Sequence, residues 1–175
     1  MRADHPLLTA AFLVAGGCAT PPGGGATADA AAPPDAGDPY ANVVAVMPSG
    51  TDGSYTFNVT VESADIDCSQ YANYWEVLST GGALLYRRIL DHSHTDANGT
   101  TDPDRPGNTF TRDGGPVAIG ADQRVLVRAH ISRGGYHGQV MGGSVATGFA
   151  AVTDLPLTFA AGVEAQPPQP TTCEF

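Results

Sequence analysis

Four histidines beyond the first few residues carry the side chains best suited to chemistry: His92, His94, His130 and His137. In extended chain, His92-x-His94 directs both rings to one side, a spacing that suits zinc or copper. Asp91 precedes the pair, and Asp65, Asp67 and Asp96 lie on polar stretches able to supply further ligands. The plainer alternative is four loop histidines facing water. Asp96 to Asp104 is rich in oxygen donors, but its glycine stands at the fourth position, so it is not an EF-hand loop. Ser93 sits between two histidines, and Ser132 and Ser144 lie in glycine-rich stretches; none occupies a Gly-x-Ser-x-Gly elbow. Glu62 and Glu76 fall on the polar face of predicted strands, which gives no support to a paired-carboxylate glycosidase. Arg124 and Arg128 alternate with apolar residues and, with Arg87, are expected to form an exposed basic stripe. No catalytic signature emerges, and the expected role is not enzymatic.

The elements that must hold these residues are strands. Tyr55, Phe57, Val59 and Val61 alternate with polar residues, the pattern of a half-buried strand. Val43 to Val46 precede it across the turn chemistry of Thr51-Asp52-Gly53-Ser54. Tyr74 to Leu78 and Ala83 to Leu90 flank a Gly-Gly and read as a hairpin. Asp113-Gly114-Gly115-Pro116 reads as a turn after Phe110-Thr111-Arg112. Gln123 to Ile131 is a further strand with Val125, Val127, Ala129 and Ile131 facing inward, and Val140–Phe149 and Leu155–Ala161 supply the last ones. No helical period persists. The fold class is all-β, an antiparallel sandwich over residues 40–175.

Within this pattern, Tyr74-Trp75-Glu76-Val77-Leu78, the Gly-Gly turn, Leu84-Leu85-Tyr86 and Arg124 to His130 resemble strands C, C′ and F of a fibronectin type III or immunoglobulin-like domain. The resemblance spans about Val43 to Val140 and rests on spacing, since the tyrosine corner of strand F is replaced by Arg124 and Leu126. It implies that the loops bearing Asp65 and Asp67, Asp91 to Asp96, and Arg133 to His137 share one end of the domain. It implies nothing about activity.

Composition narrows the function classes. A formal charge of -10 with 8 basic residues, all arginine, argues against nucleic acid, which needs cations to release its counterions. At the N-terminus, Arg2 precedes the apolar run Leu7 to Ala15, too short for a membrane span of ~20 residues. The run ends in Ala15-Gly16-Gly17-Cys18, which resembles the lipobox of bacterial lipoproteins, with Ala15 where leucine is usual. That resemblance implies a signal peptide over 1–17, a lipid on Cys18, membrane attachment through it, and outer-membrane sorting because Ala19 rather than Asp follows. Residues 18–39 are mostly Ala, Gly and Pro with little to bury, the composition of a flexible linker. With Cys18 lipidated in an oxidising compartment, Cys68 and Cys173 are expected to form a disulfide. The expected protein is therefore a cell-envelope lipoprotein whose sandwich binds a protein or glycan, without cofactor. The alternative is a zinc- or copper-binding lipoprotein using Asp91, His92, His94, His130 and His137.

Overall fold

A computed structural model describes residues 38–95 and 108–174. The expected signal peptide, Cys18, nearly all of the expected linker and the oxygen-rich stretch from Asp96 lie outside these residues. The described chain forms eight strands: β1 Ala41–Thr51, β2 Ser54–Ser63, β3 Ala72–Ser79, β4 Leu84–Ile89, β5 Asn108–Val117, β6 Val125–Ile131, β7 Val140–Ser144 and β8 Gly148–Val152. They build two antiparallel sheets, of order β1-β2-β5 and β4-β3-β6-β7-β8. This is the all-β sandwich that alternation demands. Strands β1, β2 and β5 stand where A, B and E stand in an immunoglobulin-like layout; β4, β3, β6 and β7 stand where C′, C, F and G do, and β8 is an added edge.

The core lies between the sheets. Phe57, Val59 and Val61 of β2 meet Trp75 and Val77 of β3 and Val125, Val127, Ala129 and Ile131 of β6, all essentially without exposure. Each belongs to the inward set of an alternating strand, so a one-residue slip of register would turn the whole set into water. Asp52-Gly53 closes β1 onto β2 as a two-residue turn, with Thr51 opposite Ser54.

Two sequence expectations change here. Asp113-Gly114-Gly115-Pro116 is not a turn but the second half of β5, with an irregular register against β2 between Tyr55 and Phe57. The reason is the Trp75 indole. A Cβ built on Gly114 would stand 2.6 Å from the indole edge and 2.7 Å from the Tyr86 ring, so the strand can pass only without a side chain. Turn-type residues were needed here for close approach, which composition alone does not distinguish from reversal. Leu155–Ala161, expected as a strand, adopts turns that lead into a short 3₁₀ helix at Ala161–Val163. It joins no sheet, because its backbone carbonyls are taken by arginine side chains.

Those arginines overturn a third expectation. Glu76 is fully buried, and Arg87 and Arg128 are 4% and 2% exposed. The polar face of β3, β4 and β6 is not a wet basic stripe, since the segment after β8 lies across it. Only Arg124 of the expected stripe remains exposed. Cys173, near the end of that segment, is bonded to Cys68 in the loop after β2. The expected disulfide is present, and it ties the proline-rich tail to the body of the domain.

Candidate functional site

Antiparallel order sends the loops after β2, β4 and β6 to one end of the sandwich. The chain also arrives at β1 there, since the Ala41 and Val43 amides donate to the His137 and Gln139 carbonyls, both at 2.9 Å. Gly138 permits that contact, because a Cβ on it would run into the Ala41 carbonyl. Chemistry-bearing side chains at this end fall into two groups.

The first group surrounds Asp65. Its side chain is completely buried, a costly place for a carboxylate without donors. Three contacts supply them. The Ala72 amide donates to Oδ1 at 2.7 Å, the His94 amide donates to Oδ2 at 2.9 Å, and His94 Nδ1 lies 3.3 Å from Oδ2. Burial by itself would push the Asp65 carboxyl up, but these hydrogen bonds more than offset it and hold the group below the usual carboxylate range. The His94 ring stacks on Phe110 with centroids 3.4 Å apart. Burial holds its pKa below the ordinary imidazole value, although the Asp65 charge opposes this. Among the described residues, its buried Nε2 has no hydrogen-bond partner, and neither has Ser93 Oγ.

Beside it stands His92, its ring centroid 4.8 Å from that of His94. His92 Nδ1 lies 2.8 Å from Asp91 Oδ1, and its Nε2 lies 3.5 Å from Arg112 Nη2. The His92 hydrogen bond holds Asp91 below the usual carboxylate range. Asp91, His92, Ser93 and Glu174 line an open depression of about 320 Å³. The Glu174 amide donates to the Asp91 carbonyl at 2.6 Å, so the disulfide-bound tail forms one wall. Sequence reasoning missed Glu174. Its neighbour Cys173 was the available signal, since a bond to Cys68 must bring position 174 into the loop end.

The second group is sealed. Glu76 Oε2 accepts from Arg87 Nε at 2.9 Å and Nη2 at 2.7 Å, and Oε1 accepts from Arg128 Nε at 2.8 Å. The remaining guanidinium hydrogens reach the tail: Arg128 donates to the Phe159 carbonyl at 2.7 Å, and Arg87 to those of Val163 and Gln166 at 2.8 and 2.6 Å. Tyr136 lies under Arg128, 3.4 Å from guanidinium carbon to ring centre, and Tyr74 lies 4.3 Å from that of Arg87. The two hydroxyls bond at 2.9 Å. His130 belongs here, stacked on Tyr74 with centroids 4.6 Å apart and Nδ1 2.7 Å from Asn73 Oδ1. This network fixes the tail.

The four histidines therefore do not converge. His92 and His94 stand together with Asp91 and Asp65, His130 lies in the sealed layer, and His137 faces Asp38 at 3.8 Å. Asp67 is exposed and accepts from the Ser69 amide at 2.6 Å, and hydrogen bonds from the Ser69 side chain and amide lower its pKa. Asp96 lies outside the described residues. Among the described residues, no three His, Cys, Asp or Glu side chains gather as a metal group. The Asp65–His94 pair resembles two members of a hydrolytic triad, but no nucleophile bonds to Nε2 among the described residues. No family model matches this chain, and no curated protein or solved structure does either.

Proposed function

We propose that this protein is a lipoprotein of the cell envelope, attached to the outer membrane through Cys18, whose sandwich acts as a non-catalytic binding module. The observation that carries the binding role is the open depression at the loop end, walled by Asp91, His92, Ser93 and Glu174. The tail covers the outer face of β3, β4 and β6, while the loop end keeps an open concave surface accessible to a partner. The Cys68–Cys173 disulfide supports an extracytoplasmic location, where such bonds persist. The partner proposed for this end is a protein or glycan of the cell envelope.

Two measurements test this reading. Cys18→Ser should abolish acyl incorporation, detected by intact mass, and release the protein from the membrane fraction. Capture of envelope glycans and proteins by the immobilised domain should weaken with Asp91→Ala and His92→Ala together. Capture untouched by these changes would remove the loop end from the proposal.

A further inference from the structure

We infer that His92 and His94 form a two-histidine site for a transition-metal ion, copper(II) foremost, beside the loop-end depression that His92 helps to wall. This rests on the loop-end reading above and names a ligand class for it.

Three observations converge. First, each ring has its Nδ1 against a carboxylate: His92 on Asp91 at 2.8 Å and His94 on Asp65 at 3.3 Å. A neutral imidazole whose Nδ1–H donates to a carboxylate keeps the lone pair on Nε2, and this is the outer-shell arrangement that orients histidine ligands on metals. Second, His94 Nε2 is buried and without a partner among the described residues, on a side chain 4% exposed. An unpaired buried nitrogen is costly, and an ion would satisfy it. Third, the ring centroids are 4.8 Å apart. Two imidazoles sharing one ion at ~2.0–2.1 Å per Nε2 place their centroids about 4.5 Å apart at a right angle and about 5 Å apart at a tetrahedral one.

Two protein ligands leave the other positions to water or to a bound partner's own donor. Such an open, nitrogen-rich site favours copper(II), which heads the divalent affinity order and accepts tetragonal geometry. One group opposes binding. Arg112 places Nη2 3.5 Å from His92 Nε2, so its cation and its hydrogen bond must be displaced. The opposition is itself diagnostic, because a purely packing role for the histidines would not be improved by losing Arg112.

The test is copper(II) titration of the untagged, disulfide-intact protein, followed by calorimetry and electron paramagnetic resonance. Expected are one ion per chain and hyperfine structure from two nitrogens. His92→Ala should weaken binding at least about tenfold, and Asp91→Asn should weaken it by about tenfold through loss of orientation. Arg112→Gln should tighten it. His94→Ala removes a stacked, buried ring and endangers the fold, so the half-buried His92 and Arg112 carry the test. His137→Ala should change nothing. No saturable copper binding, or binding unmoved by both His92→Ala and Arg112→Gln, would overturn the inference. The loop end could still capture a polymer or protein in that case, so the two readings fail separately.

Discussion

Glu76 shows how much one side chain decides. It lies between two buried guanidiniums and satisfies both through its two carboxylate oxygens. The pair of arginines also holds the tail through its carbonyls, so the carboxylate neutralises a cluster that has a second task. A buried ion network of this kind is weak grounds for net stability, yet removing one partner leaves uncompensated charge. Glu76→Gln should therefore cost about 3–5 kcal/mol in urea unfolding, because two cations then share no counter-ion. Glu62→Gln, in the neighbouring sheet, should leave the midpoint nearly unchanged. A Glu76→Gln loss as small as that of Glu62→Gln would mean that tail dipoles alone carry the arginines. Replacing Glu76, Arg87 and Arg128 together by leucine and methionine should recover stability in the body while freeing the tail.

The tail is the element on which the loop-end wall depends. From Leu155 to Glu174 it contributes no strand, and its order comes from arginine side chains and one disulfide. The bond spans a sequence separation of 105 residues. In the chain-entropy model, closing a loop of that length is worth about 4–5 kcal/mol. Cys68→Ser with Cys173→Ser should lower unfolding free energy by up to that amount. Hydrogen exchange should then show lost protection over 158–172, with β2, β3 and β6 retaining theirs. Uniform loss across all strands would instead make the tail part of one cooperative core. The same element argument explains β3, buried on both faces. Trp75 and Val77 face the other sheet, while Tyr74, Glu76 and Leu78 face the tail.

For the whole molecule, stability should depend on pH through the sealed layer. Burial holds the His130 pKa below its ordinary value; Glu164 and Glu76 pull it up only in part, and Arg87 works with burial. A folded value below the unfolded one, about 6.5, means the unfolded chain takes the proton first. His130 therefore contributes stability that is present above about pH 6.5 and is lost as pH falls through the folded pKa. Unfolding free energies measured at about pH 7.5 and pH 5 should drop for the parent and drop less for His130→Gln. Equal drops would assign the acid sensitivity to other groups.

The alternating residues by themselves determined the sandwich, the inward sets of β2 and β6 and the hairpins at Asp52-Gly53 and Gly81-Gly82. Period-two burial is a local property that any reader of the chain can see. Compartment logic likewise paired Cys68 with Cys173. Tertiary structure alone decided that Gly114 serves a tryptophan rather than a turn, that Glu76, Arg87 and Arg128 are dry, and that two of four histidines stand together. Each of these depends on what packs from far along the chain. A polar residue on an outward strand face looks the same in sequence whether water or a distant tail covers it.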